Sequence, residues 1–359
     1  MTMPRQGLAG DLVMDLQLGL FPDEPAAPTT PPVAAAPVPG RLSAIASTLP
    51  QALRLGTSSW SFPGWQGLVY DRTASQQALA QHGLAAYAQH PLLRTVGVDR
   101  TFYRPISRDA FRAYADAVPD DFRFLVKADR LLTSPNEPAG SSLRDANPRF
   151  LDPQYAMNEV IGPMMEGLGT KAGPLLFQFP PIPPNLVGGR GLFVERLHQF
   201  LDALPQGPMG SQGATGPLYA VELRTPAFLT EEYADALLAT GAAHCYTVHP
   251  AMASLERQLR SVHAYRQPAL IVRWMLHAGL RYEGAKDRYE PFHEIVDEDE
   301  ETLGRIAVAA LDALIAEKGA FVIANNKAEG SAPLSIFRLA ERISEWEAHA
   351  EGPSSGRDS

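Results

Sequence analysis

The chain has 359 residues, 45% apolar and 20% charged, the balance of a water-soluble globular protein with room for one large domain or two ordinary ones. A formal net charge of −9 excludes a surface that is basic all round, so any contact with nucleic acid has to come from a local patch. Cys245 is the only cysteine, which excludes an intrachain disulfide and a cysteine-based metal cluster and points to a reducing compartment.

At the start of the chain Asp11 and Asp15 interrupt the only early apolar run, and no span approaches the roughly 18 apolar residues of a membrane helix. The expectation is a cytoplasmic protein with no membrane partner. Residues 22–40 are rich in proline and alanine, so residues 1–50 are expected to be a disordered tail, as are residues 351–359. Within the tail lies an apolar island, Gln17-Leu18-Gly19-Leu20-Phe21. Written QLGLF, it resembles the short peptide by which many bacterial DNA polymerases and repair proteins dock onto the replication sliding clamp. Leu20 and Phe21 would fill an apolar pocket, with Leu18 beside them and Gln17 supplying polar specificity. The competing reading is an amphipathic helix, with Leu12, Leu16 and Leu20 at four-residue spacing, packed across the end of the main domain. Gly19 weakens that helix.

From residue 51 to 350 apolar runs alternate with helical patterns. Strands are expected at 53–58, 93–98, 122–128, 173–179, 217–223, 242–248, 268–274 and 319–325. Helices are expected near 75–89, 107–117, 154–168, 190–204, 230–240, 255–264, 299–317 and 333–349. The seventh is clearest: Leu303, Ile306, Ala307, Ala310, Leu311, Leu314 and Ile315 form one stripe, with acids in the first turn and Lys318-Gly319 at the end. Eight strand–helix pairs predict an α/β fold, a (β/α)8 TIM-like barrel; an open doubly wound sheet is the alternative. Two connections break the rhythm. Residues 130–153 follow the third strand on the active face and are a candidate lid, whereas 205–217 fall on the opposite face as a connector.

In such a barrel the carboxyl ends of the strands share one mouth. They carry Ser58, Ser59 and Trp60, followed by Phe62 and Trp65; Asp99, Arg100, Tyr103 and Arg104; Lys127 and Arg130; Gln178; Glu222 and Arg224; His249; Arg273 and Trp274; Asn325, Asn326 and Lys327. Five of the eight ends bear a lysine or arginine in an acidic protein, which points to an anionic ligand held by guanidinium forks, with aromatics for stacking on a base or sugar. The competing reading is a structural network in which Asp99 and Glu222 neutralise Arg100, Arg224 or Arg273. For acid–base work the candidates are Glu222 and Lys127, with Asp99 and His249 behind them. Cys245 lies mid-strand as inert core. No HExxH, close histidine pair or CxxC is present, so nothing positive supports a dedicated metal site; a site assembled from Glu222, His249 and distant residues stays open, and the cofactor is unknown. Gly188-Gly189-Arg190-Gly191 lacks the spaced lysine of a P-loop.

Taken together and in order, GTSSWSFPGWQG (56–67), TFYRP (101–105), FRFLVKA (122–128), GPLLFQFPP (173–181), AVELR (220–224), VRW (272–274) and Asn325-Asn326 resemble the DUF72 or YecE-like family of uncharacterised barrel proteins, over about residues 53–345. The resemblance implies a TIM-like barrel and, through likeness to barrel endonucleases of DNA repair, an association with DNA. It carries over Trp60, Trp65, Tyr103, Lys127, Gln178, Glu222, Arg224, Arg273, Asn325 and Asn326 as pocket residues. This chain departs from the family where Gly97 replaces a common glutamate, Arg100 a serine, and Thr133-Ser134 a threonine–histidine pair. Losing a carboxylate and a histidine while gaining an arginine favours anion binding over shared catalysis.

The expected ligand is therefore anionic and phosphate-bearing. Catalysis is assigned to Glu222 and Lys127, and ligand contact to Trp60, Trp65, Asp99, Arg100, Tyr103, Gln178, Arg224, Arg273, Asn325 and Asn326. DNA is one such ligand, with phosphodiester hydrolysis as the reaction to test and the sliding clamp as partner through Gln17, Leu18, Leu20 and Phe21. The alternatives are a small-molecule enzyme or sensor for a sugar phosphate or carboxylate, with Glu222 as base, and a scaffold without chemistry.

Overall fold

A computed structural model describes residues 33–136, 146–206 and 216–350. Eight parallel strands close into a barrel in chain order, β1 Leu53–Thr57, β2 Leu93–Val98, β3 Arg123–Lys127, β4 Ala172–Gln178, β5 Tyr219–Glu222, β6 Ala243–Val248, β7 Ala269–Trp274 and β8 Gly319–Ala324, with β8 paired back onto β1. The open-sheet alternative is thereby ruled out. The strands are apolar throughout because helices cover their outer faces and side chains fill their inner ones. Leu125, Leu176, Ala220, Ala243, Cys245, Ile271, Phe321 and Ile323 pack inside the barrel.

Strand periodicity then dictates what stands at the mouth. Two residues beyond Leu125, Leu176, Ala220, Cys245, Ile271 and Ile323, on the same inner face, come Lys127, Gln178, Glu222, Thr247, Arg273 and Asn325. An apolar floor thus supports a polar top layer. At Gly56, where the register of β1 against β2 shifts, an added Cβ would sit 1.9 Å from the Thr95 carbonyl oxygen, so only glycine lets the two backbones approach.

The helices follow their caps. Ser75, Ser107, Thr230, Ser254 and Asp299 each accept a backbone N–H at a helix start. The helix Glu300–Ile315 buries Leu303, Ile306, Ala307 and Ala310 as expected, but Ile315 at the end of its stripe is 81% exposed. The helix expected over 75–89 is divided at Gly83 into Gln76–His82 and Leu84–Tyr87, and that expected over 154–168 contains a π segment, Ala156–Ile161.

Two α-helices among the described residues were not expected. A helix spans Gly40–Thr48, burying Leu42 and Ala46 and packing on the last helix, Ala332–Ala350, with Arg41 3.2 Å from Glu341. Just before it Ala36 donates to the Val69 carbonyl and Asp71 to that of Ala34. The tail boundary at residue 50 is therefore corrected: residues 33–50 belong to the folded body, because their alanines and leucines are small or apolar enough to pack despite the prolines. The other unexpected helix, Tyr282–Tyr289, lies between β7 and Glu300–Ile315, on the mouth side. Residues 17–21, the helix proposed through Leu12, Leu16 and Leu20, and residues 351–359 lie outside the described residues. Among the described residues no helix is long and apolar enough to cross a membrane.

Candidate functional site

The polar top layer is a closed charge network around Glu222. Arg273 Nη1 donates to Glu222 Oε2 at 2.5 Å and to Gln178 Oε1 at 2.9 Å, Arg273 Nη2 reaches Asp99 Oδ2 at 3.4 Å, and Arg224 Nε donates to Glu222 Oε1 at 2.6 Å. Burial pushes the Glu222 carboxyl up, but Arg224, Arg273 and Lys127 together outweigh it and hold the group down at about 2. Arg273 is correspondingly held in its charged form by Glu222 and Asp99 against its burial.

Lys127 stands beside this network with its Nζ 3.6 Å from the centre of the Phe102 ring. Burial, opposed chiefly by Asp99, brings its ammonium down to about 8. The expected acid–base pair therefore separates. Glu222, expected as a base, has each carboxylate oxygen engaged by a guanidinium and its basicity lowered, whereas Lys127 stays within reach of proton exchange near neutrality. His249 is lowered to about 4 by burial and by Arg224, so it is neutral at pH 7.

Next to the network, towards β1 and β8, a cavity of about 360 Å³ opens at the mouth. Its polar lining is Ser58, Ser59, Asp99 and Asn325, with Lys327, Lys286 and Glu290; its apolar walls are Phe62, Tyr282 and Phe292. Asn325 ties this side together: Nδ2 donates to Ser58 Oγ at 2.9 Å and Oδ1 accepts from the Lys327 backbone at 3.0 Å. Where the walls meet, a Cβ on Gly64 would fall 1.8 Å from the Pro291 carbonyl oxygen, so a side chain there would prise them apart.

Lys327 is 6% exposed, and its Nζ lies 4.0 Å from the centre of the Tyr282 ring and 5.7 Å from that of Phe292. Among the described residues no carboxylate pairs with it. Burial and then Lys286 bring its ammonium down to about 8, with Glu290 pulling the other way. At the inner end of the cavity Asp99 Oδ1 is buried and has no hydrogen-bond partner among the described residues. Lys327 and Asp99 thus line one cavity, each with a polar atom left without an ion-pair or hydrogen-bond partner among the described residues.

Several expected contacts are not made there. Trp65 is fully buried and donates Nε1 to Asn326 Oδ1 at 3.3 Å; that same oxygen accepts from Ala332 N at 2.8 Å, fastening the start of the last helix. Trp60 is buried with Nε1 donating to the Leu79 carbonyl at 3.1 Å. These three residues, expected in the pocket, are corrected to supports behind it. Arg100 donates to the Tyr114 hydroxyl at 3.0 Å, and Tyr103 lies on the rim with Arg130 6.0 Å from its ring centre. Arg224 and Arg273 are engaged by Glu222, so the ion-pair network weighed as the competing reading is the one observed. Ser58 and Lys327 were visible as strand-end residues, but Tyr282, Lys286, Glu290 and Phe292 were missed with their helix.

A larger concavity, about 550 Å³, lies at the other end of the barrel among Leu259, Tyr265, Leu270, Ala309 and Ala313. It is mainly apolar and has no buried charge, and the strand starts it covers do not carry the chemistry of this fold. Among the described residues no group of three or more histidine, cysteine, aspartate or glutamate side chains is placed to hold a metal ion.

The sequence profile of the family described as "Protein of unknown function DUF72" matches residues 54–357. No curated protein matches the chain. Among solved structures, a DUF72 family protein from Enterococcus faecalis V583 is similar with TM-score 0.53 and 16% identity, over 81% of this chain and 95% of that one. Another from Thermotoga maritima MSB8 gives TM-score 0.51 and 18% identity, over 81% and 98%. At such identities the likeness carries the barrel and leaves the site to be argued from its own residues.

Proposed function

The chain belongs to the DUF72 family, and from that premise we propose that its barrel mouth binds a small phosphorylated sugar or a similar hydroxylated anion. The observation that carries this reading is Lys327, a buried cation in a ligand-sized cavity that forms no ion pair among the described residues, Glu290 on the same wall being paired with Lys286. Such an amine costs free energy unless something negative joins it. Lys286 adds a second positive charge on the same wall, Asp99 Oδ1 and Ser58 suit hydroxyl groups, and Phe62, Tyr282 and Phe292 suit the apolar face of a sugar or base. The size of the cavity favours one sugar phosphate over a duplex.

The test is thermal unfolding of the full chain with inorganic phosphate, ribose 5-phosphate, glyceraldehyde 3-phosphate and unphosphorylated ribose. A phosphorylated compound at a hundredfold over its Kd is expected to stabilise the protein by about 2.7 kcal/mol. Ribose alone should do far less. The same unfolding temperature across the panel would dismiss the reading.

A second reading rests on Gln17-Leu18-Gly19-Leu20-Phe21: recruitment to the bacterial sliding clamp, with single-stranded or damaged DNA offering one nucleotide to the mouth. Phosphodiester hydrolysis would then need a base other than Glu222, whose two carboxylate oxygens are taken by Arg224 and Arg273. The wild-type chain is expected to bind a bacterial clamp and Leu20→Ala/Phe21→Ala to lose at least tenfold in affinity, roughly the loss of two apolar anchors. Equal binding by both proteins removes recruitment. DNA binding at the mouth is checked separately by oligonucleotide affinity, which must fall steeply with salt.

A further inference from the structure

The chain has 31 lysine and arginine residues, of which only Lys127, Lys171, Lys286, Lys318 and Lys327 are lysine. Three of these five stand at the mouth. The carboxylates of Glu222 and Glu329, both fully buried, are met by arginine: Arg273 and Arg224 on Glu222, and Arg338 on Glu329 at 2.8 Å. A guanidinium serves that purpose well and is chemically inert, whereas an amine can lose its proton and attack. Lysine at position 327 therefore stands out, because it is buried, forms no ion pair among the described residues and lines the cavity.

We propose that Lys327 is a nucleophilic amine that forms an imine with the carbonyl carbon of an aldose or ketose phosphate bound in the mouth cavity. The inference deepens the sugar-phosphate reading and rests on it. The neutral amine adds to the carbonyl carbon, making the C–N bond. Both of its N–H protons leave with the carbonyl oxygen as water, and the C=N bond remains; the step needs neither oxidant nor reductant. The surroundings suit it. Aromatic walls at 4.0 and 5.7 Å desolvate the amine, and Lys286 on the same wall, itself 3.6 Å from Glu290, opposes its protonation. With the ammonium lowered to about 8, a substantial fraction is neutral at physiological pH, whereas an exposed lysine has almost none.

The experiment is reductive trapping. The full-length protein is incubated with glyceraldehyde 3-phosphate and cyanoborohydride, with glyceraldehyde as the unphosphorylated control, and the adducts are mapped by peptide mass spectrometry. Lys327 is expected to be labelled at least roughly tenfold faster than the more exposed Lys286 and Lys318, because the cavity holds the bound carbonyl against its amine. The labelling should saturate, be protected by inorganic phosphate, and be weaker with glyceraldehyde. Lys327→Arg, which keeps the charge but cannot form the imine, should retain phosphate-dependent stabilisation and lose the saturable adduct. Adducts spread over the lysines in order of exposure, with Lys327 unlabelled, overturn the proposal. If phosphate still stabilises the protein in that case, the binding site survives and only the imine is lost; if it does not, both readings fall.

Discussion

Glu222→Ala is expected to lower the unfolding free energy by about 3–5 kcal/mol, the cost of leaving buried cations without their partner. Glu222 is fully buried, and two guanidiniums converge on its carboxylate, one oxygen each. Removing it strands Arg273, itself buried, with only Gln178 and the longer contact to Asp99. The depressed carboxyl gives the same scale. A shift from 4.5 to about 2 corresponds to roughly 3 kcal/mol. Because the folded value lies below the unfolded one, this stabilisation is fully present above about pH 4.5 and is lost as the pH falls towards 2. At roughly 2–4 °C per kcal/mol for a domain of this size or somewhat smaller, the unfolding temperature should drop by about 10 °C. Glu222→Gln keeps the shape and loses the charge, so it should also destabilise. Glu222→Gln/Arg273→Met, which removes both ends of the pair, should recover part of the loss. An unfolding temperature for Glu222→Ala within about 2 °C of wild type at pH 7, less than 1 kcal/mol, would mean that the network contributes little.

The barrel was legible because its signal is repeated eight times. Each strand is a short apolar run with a polar or charged residue at its far end, and Lys127, Gln178, Glu222, Arg273 and Asn325 were all placed correctly at the mouth. What each charge does there was not legible, since pairing depends on which strands face each other across the barrel. Arg273 of β7 meets Glu222 of β5 and Asp99 beyond β2, residues 51 and 174 positions away in the chain. The tryptophans misled for a related reason. A tryptophan near a strand end reads as a stacking surface, but Trp60 and Trp65 turn back into the protein, where each indole N–H finds an oxygen. The helix Tyr282–Tyr289 escaped notice because only Ala285 and Tyr289 are buried along it, too sparse a stripe among charges to register as amphipathic. With it went one wall of the cavity. The helix Gly40–Thr48 was hidden by composition, as proline and alanine around it read as a tether although its own Leu42 and Ala46 had a surface to cover.

Lys327→Met should raise the stability of the ligand-free protein while weakening its response to phosphorylated ligands. Two effects compete at this residue. The ring of Tyr282 attracts the ammonium, worth about 0.5–2 kcal/mol, whereas burial without a counter-charge opposes it. The displacement from 10.5 to about 8 already includes the penalty and amounts to roughly 3 kcal/mol against the charged form. Burial wins, so a methionine of similar length is expected to gain about 1–3 kcal/mol at pH 7, the exchange of stability for function seen when a binding group is removed. The pH dependence carries the sign. The folded value lies below the unfolded one and the charged form is the costly one, so the penalty is complete below about pH 8 and fades as the pH rises towards 10.5. The wild type should therefore gain on Lys327→Met between pH 7 and 9.5. Lys127 titrates with the same sign in both proteins, so their difference isolates Lys327. Ligand affinity should fall by about tenfold to a hundredfold, the loss of one charge-assisted contact. Denaturant melts of both proteins across that pH range check the first part, and the phosphate-ester panel checks the second. If Lys327→Met is instead less stable at pH 7 and the gap does not change with pH, the aromatic contact outweighs desolvation, Lys327 is a structural cation, and the cavity loses the group on which its assignment depends.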